Sequence, residues 1–452
     1  LYTVEKALNH SKKIGIDECE IVLVKKKITT VRITDSEIAE IKQNFDESYG
    51  IRIIHQKKIA SSQSTDKQNI IKNIENIFDT ISNLKPREFW EELPYKTRLK
   101  KLDRVFDEKL KNISGSNAMD IAQDMINSTI NDKVDTITGS LNIVSEDFQL
   151  SNSNGLELAD ESTYITGIIN AESEFGNIPV SGIGHASGRT LLNFSAEQIG
   201  KDAKNMCVKA INPQKIDSGK YSIIFEPYSV GELLAFVVAA NFNFKTFSEK
   251  KSCFSNDLDK KIGIDEFNLI DDPHIPEGIG TKSIDDEGIE TQKRNLIEKG
   301  IFKNTFSNLY DSFKEGVKST GNSARGGSPM GRSSEPIPIS APHNLKVNPG
   351  TSSQEDMIKD TKQGLLVGRL WYTYAVNPIK GDFSCTARSG IHVIKNGEIK
   401  NSGKSVRIIH NITTMLKNIS DIGNNQRNVI QWASLPSITP SIKVENITVN
   451  SI

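Results

Sequence analysis

The chain of 452 residues carries 56 lysines and arginines against 57 aspartates and glutamates, a formal net charge of −1. That length allows two or three domains with substantial cores, and the near-zero balance argues against binding nucleic acid through bulk charge. The four cysteines, Cys19, Cys207, Cys253 and Cys385, form no CxxC pair, which excludes a disulfide framework or a thiolate zinc motif and matches the usage of a reducing compartment.

From the amino end, Val4, Ala7, Leu8 and Ile14 in TVEKALNHSKKIG suit one face of a helix. The runs CEIVLVKKKITTVRIT, SEIAEIKQNF and YGIRIIHQKKIASSQST alternate with a period of two and read as strands. The basic cluster Lys25 to Lys27 reads as an exposed strand end. In DKQNIIKNIENIFDTISNL, Ile70, Ile71, Ile74, Ile77, Phe78 and Ile81 fall at helical spacing, with Asp66 as the N-cap and Pro86 as the stop. Residues 1–90 are therefore expected to form a small α+β domain.

A polar link, KPREFWEELPYKTRLKKLD, leads to a helix in SNAMDIAQDMINSTIND. Strands follow in VDTITGSLNIVSEDFQLSNSNG, TYITGIINAESEF and IPVSGIGHASGRT, with SNSNG as a hairpin turn. These define a central α+β domain over 105–215, and the strand-rich remainder, 218–452, a β-rich C-terminal domain. Within it, TGNSARGGSPMGRSSEPIPISAP (320–342) is dense in Gly, Ser and Pro and is expected to be a long, mobile surface loop. SSQEDMIKDTKQG is expected to be a helix capped by Ser352 or Ser353 and ended by Gly364. The stretch GELLAFVVAANF reads as a helix with one acid, Glu232, buried on several sides through Leu233, Leu234, Phe236, Val237 and Val238. The fold class is α+β: N-terminal α/β units with antiparallel strands and flanking helices, then a β-rich domain.

Asp285, Asp286 and Glu287 in SIDDEGIET admit two readings, as carboxylates for a hard cation or as turn formers bonded to nearby backbone amides. The turn reading is preferred, because no glycine-spaced cation loop surrounds them. Gly278, Gly280 and Gly288 read as positions of positive φ or close backbone approach. Thr320, Asn322, Arg325 and Arg332 read either as a lid over a peptide groove, with arginines for substrate carboxylates, or as a solvated loop. The solvated loop is preferred. His343 and Asn344 in PHNL are candidates to ligate or hydrogen-bond, His343 more readily as a structural residue.

Four stretches together carry a family resemblance: YGIRIIHQKKIASSQSTD; GIGTKSIDDEGIETQKRNLIEKGIF; KSTGN with PHNLKVNPGTSSQEDMIKDTKQGLLV; and GDFSCTARSGIHVIKNGEI followed by DIGNN. In order and interval they make the chain similar to the TldD/PmbA family, described as modulators of DNA gyrase and classed with metallopeptidases, and closest to its PmbA/TldE branch. In the TldD branch, the resemblance implies, the helix after the equivalent strand carries HExxxH, with two zinc-binding histidines and a general-base glutamate, and a cysteine near the carboxyl end completes the site. Set on that motif, LLAFVVAA puts Ala235 and Ala240 at the histidines and Phe236 at the glutamate, and Trp432 stands where the cysteine is expected. A methyl group has no lone pair for a metal, and a phenyl ring accepts no proton. The remaining candidates, His185, His274, His343, His392, His410, Cys253 and Cys385, never fall three or four residues apart, so no two share a helix face.

The resemblance therefore implies a non-catalytic PmbA/TldE-like subunit of a cytoplasmic TldD/TldE-type metalloprotease acting on flexible or unfolded peptides. It would hold no cofactor itself, zinc being expected in a TldD-like catalytic partner, with a homodimer as the other assembly. The alternatives are a zinc metallopeptidase in its own right with unconventional ligands, and a regulatory binding protein acting on DNA gyrase. No helix-turn-helix, basic stripe or aromatic platform supports direct nucleic-acid binding. No run approaches the ~18 apolar residues of a membrane span and no basic-then-apolar leader is present, so a cytoplasmic location without a membrane partner is the expectation.

Overall fold

The alternating runs of the N-terminal half pair into one antiparallel sheet in the computed structural model, which describes residues 2–96, 100–431 and 435–452. Its strands are β1 (Glu18–Thr34), β2 (Glu37–His55), β3 (Lys58–Ser64), β4 (Thr136–Asn152), β5 (Glu157–Ser173) and β6 (Val180–Gly188), in the order β3-β2-β1-β4-β5-β6. β1 pairs with β2 on one side and with β4 on the other, Glu20 facing Asn152 and Ile33 facing Gly139. The two expected N-terminal units thus contribute to a single sheet, and the stretch between 90 and 105 lies in the connection between its halves.

Helices cover this sheet where the apolar spacing provides a face. Tyr2–Lys13 and Ile70–Ile81 bury Val4, Ala7, Ile70, Ile74 and Ile81 against Ile21, Leu23, Ile51 and Ile53. Asp66 caps the short turn that opens the second helix, its Oδ1 accepting from the Gln68 N–H at 2.8 Å, and the helix ends well before Pro86. Gly115–Thr129 and Ala196–Lys209 cover the other end through Ala122, Met125, Ile199 and Ala203. The helix Ala196–Lys209 has no counterpart in the sequence reading, although its Ser195 hydroxyl accepts from the Gln198 N–H at 3.1 Å in a Ser-x-x-Gln capping pattern.

Lys25, Lys26 and Lys27 correct another expectation, because they lie in mid-β1 rather than at a strand end. Lys26 is buried, donates to the Met330 carbonyl at 2.7 Å and faces the Glu146 carboxylate at 3.6 Å. Its long aliphatic stem lets it cross packed surface while the ammonium meets an anion.

The C-terminal part is β-rich. Gly219–Phe225, Gln363–Asn377, Asp382–Lys395, Val406–Asn411 and Ile442–Ser451 each pair with two of the others, so the five close on themselves as a barrel. Its buried side chains include Ile223, Phe225, Leu365, Leu370, Phe383, Cys385, Ile408 and Val449. A second sheet of short strands, with Leu269–Asp271 paired to Leu345–Val347, packs into the same core. The helix expected after Ser353 spans Gln354–Lys359 with a capping box between Ser353 and Asp356. It ends at Asp360, and Gly364 belongs to the following strand rather than to the helix terminus.

Candidate functional site

After the barrel strand Gly219–Phe225 the chain is helical from Pro227 to Phe242 in three forms: α over Pro227–Leu233, π over Leu234–Val238 and 3-10 over Ala239–Phe242. Pro227 begins it at N1, where a missing N–H removes no helical bond. In the π turn the Ala239 N–H reaches the Leu234 carbonyl five residues back. Positions five apart on a regular α-helix diverge by about 140°; the wider π turn swings Ala240 back toward the side of Ala235. Leu233, Leu234, Val237 and Val238 are buried, as expected. Phe236 is not: it is 36% exposed, Ala240 is exposed and Ala235 is half-buried. The helix therefore has one open side, and the three positions matching HExxxH lie on it.

That side does not fit a zinc ion. Its methyl groups and phenyl ring offer no donor atom and no proton acceptor. Trp432 lies outside the described residues. Among the described residues no group of three or more His, Cys, Asp or Glu stands close enough to hold a metal ion. His185 and His392 border one cleft of about 750 Å³ with Glu226 and Tyr228, and burial holds both imidazoles down at about 4. His274 hydrogen-bonds the Thr291 hydroxyl at 3.1 Å. Burial pushes Cys253 up to about 12 and Cys385 also upward, so both are thiols rather than thiolates.

Glu232, the helix's acid, faces inward. Its Oε2 accepts from the Leu370 N–H at 2.6 Å. Burial pushes the carboxyl up to about 8, against the pull of that hydrogen bond and of Arg369. It is largely uncharged near neutral pH and held on a backbone amide.

The other candidate residues meet where the N-terminal sheet joins the C-terminal part. Asp285 is a turn former: Oδ1 accepts from the N–H groups of Glu287 at 3.0 Å and Ile289 at 2.9 Å, and Oδ2 from Ser323 at 2.9 Å. Its neighbours do more than turn the chain. Asp286 pairs with Lys282 at 2.9 Å and Arg332 at 3.3 Å, and Glu287 pairs with Arg52 of β2 at 2.8 Å. Arg52 also meets Glu20 of β1 at 2.9 Å. Gly288, at φ +94°, and Gly280, where a Cβ would stand 1.9 Å from the His343 carbonyl oxygen, are the special backbone positions expected.

Around Arg325 and Arg332 the segment 320–342 is not a solvated loop, which corrects the sequence reading, whereas Ile337 and Ile339 further along it are exposed. Arg325 is fully buried, donating from Nη2 to Glu20 at 2.5 Å and from Nε to the Asp286 carbonyl at 2.9 Å. Arg332 reaches Asp160 of β5 at 2.5 Å and stacks over the Phe148 ring at 4.4 Å. Glycines and serines let the backbone thread between two layers, and the arginines fix it there with paired, desolvated charge. The Thr320 hydroxyl, with one proton to give, lies 2.7 Å from Asn322 Oδ1 and 3.0 Å from the Ser307 carbonyl oxygen. Asn322 donates to Asp271 at 2.6 Å, as do the backbone N–H groups of His343 at 2.7 Å and Asn344 at 3.2 Å. His343 Nε2 donates to the Gly321 carbonyl at 2.7 Å, and burial holds its imidazole down at about 3. The Asn344 amide donates to the Asp272 carbonyl at 2.8 Å. Of these residues Glu287 borders an open cleft, of about 690 Å³, beside Arg52, Trp90, Tyr310 and Ile337. Glu20, Arg52 and Glu146, which complete the joint, are absent from the sequence reading; the available signal is a charge in the middle of an otherwise apolar strand, as in CEIVL and GIRII.

A continuous sheet clasped by ion pairs to a closed barrel, with an open-sided helix at the barrel, is an α+β scaffold in two parts. The chain belongs to the PmbA/TldD family: residues 218–451 match the PmbA/TldA metallopeptidase C-terminal domain and residues 19–84 match PmbA/TldA metallopeptidase domain 1. A metalloprotease PmbA homolog of Buchnera aphidicola is 26% identical over 444 residues, covering 96% of this chain and 94% of its own. The metalloprotease PmbA of Escherichia coli O157:H7 is 29% identical over 261 residues, 57% of this chain and 53% of its own, so that match spans about half that protein's length. In fold the chain is similar to TldE from Thermococcus kodakarensis, with a TM-score of 0.87 at 22% identity over 99% of this chain and 100% of that one.

Proposed function

We propose that this chain is the PmbA/TldE-type subunit of a cytoplasmic TldD/TldE-type protease assembly that cleaves flexible or unfolded peptides, and that the zinc chemistry belongs to a TldD-like partner. The observation that carries the reading is the open side of the helix Pro227–Phe242, where Ala235, Phe236 and Ala240 offer a metal nothing to bind. The π turn supports it further, since such turns recur at functional helices and this one gathers positions five apart. In this role the chain stabilises the assembly and walls the space in which peptide is cut.

The test uses the full chain alone and together with a TldD-like chain carrying an intact HExxxH. Zinc content by elemental analysis and cleavage of an unfolded casein substrate are read on each species. The expected result is no retained zinc and no cleavage for the chain alone, and both for the pair. Stoichiometric zinc with cleavage by the chain alone would overturn the proposal.

A further inference from the structure

The outer wall of the barrel carries a set of side chains that the joint and the helix do not use. Past Leu370 the strand Gln363–Asn377 leaves the core and its residues become half-buried or exposed. The Trp371 ring has the exposed Arg388 Cζ at 4.5 Å and the buried Arg369 Cζ at 4.9 Å from its centroid, and Tyr372 packs against it at 5.9 Å. One row along, the Arg407 guanidinium lies over Tyr374 at 5.6 Å, donating to its hydroxyl at 3.1 Å and to Thr386 at 2.9 Å. Strand register places these on one face, with Trp371 opposite Thr386 and Arg407, and Tyr374 opposite Ser384 and Ile409. Tyr372 is 70% exposed, Tyr374 48% and Ile409 51%.

Among the described residues neither Arg388 nor Arg407, the two of these arginines that reach the surface, forms an ion pair with a carboxylate. The contrast with the joint is sharp, since Arg52, Arg325 and Arg332 are each held there by carboxylates. Glu232, whose carboxyl acts on the buried Arg369, is pushed up to about 8 and supplies little negative charge at neutral pH. The strand is also open at one edge: its parallel pairing with Gly219–Phe225 covers Gly364 to Val367 and stops before Trp371.

We propose that this face docks a flexible, acidic stretch of polypeptide in extended form. Unpaired guanidiniums stacked on aromatic rings suit carboxylates, Tyr374 and Ile409 take apolar side chains, and the open strand edge offers backbone groups to an added strand. A second copy meeting this face symmetrically brings its own Arg388 and Arg407 against the first pair, a like-charge contact. Single-stranded nucleic acid is less suited, because the flanking Val376, Ile379 and Ile409 offer hydrocarbon where phosphates must lie. The inference names the class of peptide for the proposed function and rests on that reading for its biological source.

The test is fluorescence anisotropy on the full chain with three labelled probes. These are a flexible Glu/Asp-rich peptide with interspersed leucines, the same peptide with lysine for each acid, and an oligothymidylate of equal charge. The acidic peptide is expected to bind best, and the double substitution Arg388→Glu with Arg407→Glu to weaken it by about tenfold or more, with an unchanged circular-dichroism melt as the folding control. Equal binding by the lysine peptide, equal or tighter binding of the oligonucleotide, or no change in the double variant overturns the proposal. Self-association of the chain that this variant abolishes assigns the face to a second copy and also overturns it. None of these readouts requires zinc or a partner chain, so the subunit reading stands or falls on its own assay.

Discussion

The joint between sheet and barrel and the helix Pro227–Phe242 are opposite kinds of interior. In the joint, Glu20, Arg52, Asp286, Glu287, Arg325 and Arg332 are buried and paired. On the helix, the positions that match a peptidase motif are hydrocarbon, and the one acid is held neutral on a backbone amide. A dense set of buried ionisable groups is often taken as the mark of a catalytic centre. Here that density serves to hold two layers in register, while the helix positions that match the motif carry no donor atom.

The strongest way to break this contrast is to restore the missing donors. The triple substitution Ala235→His, Phe236→Glu and Ala240→His is expected to raise the zinc retained through dialysis above that of the wild type, as measured by elemental analysis. Failure to retain zinc would show that two restored histidines do not hold the ion without a further ligand in place of Trp432. On the joint, Arg52→Met leaves Glu287 without its cation and Glu20 with Arg325 alone, at an expected cost of about 3–5 kcal/mol in urea unfolding. A cost under ~1 kcal/mol would show the pairs to be dispensable.

The two interiors also titrate in opposite senses. His343, held down at about 3 beside the joint, binds fewer protons folded than unfolded. Its contribution to stability is complete above the ordinary histidine pKa of about 6.5 and falls away as the pH drops below it. Glu232, pushed up to about 8, binds more protons folded than unfolded. It lowers stability as the pH rises from the ordinary glutamate range toward 8. Glu232→Gln is therefore expected to gain on the wild type across that rise, and His343→Gln to gain on it as the pH falls below 6.5, both read from melting temperature against pH. If both variants track the wild type at every pH, the burial argument fails for both. The smallest effect calibrates the others: Ser353→Ala, which breaks the capping box of Gln354–Lys359, is expected to cost about 1 kcal/mol in the same unfolding assay.

Local pattern made some of this legible. The isoleucines of 70–81 specified their helix because spacing alone sets which face is apolar, and Asp66 had the side chain to cap the turn before it. The absence of donors at Ala235, Phe236 and Ala240 needed no structure, since side-chain chemistry is visible in the letters. Their openness was not legible, because the π turn depends on how the helix packs in the barrel. The segment 320–342 misled for a related reason: its glycines and serines resemble a solvent loop, whereas its anchors, Arg325 and Arg332, find partners on strands far away in sequence. Glu20 and Arg52 drew no reading from the sequence, and only the assembled layers reveal what covers them.

The position of β1, in the middle of its sheet, has a consequence for any attempt to divide the molecule. A cut near residue 100 strips β4 of its neighbour from Gly139 to Asn152, and at the same time deprives β1 of one side. Both pieces then expose long runs of bare amides and carbonyls that pair readily with other chains. Halves made separately are expected to precipitate rather than persist as soluble pieces.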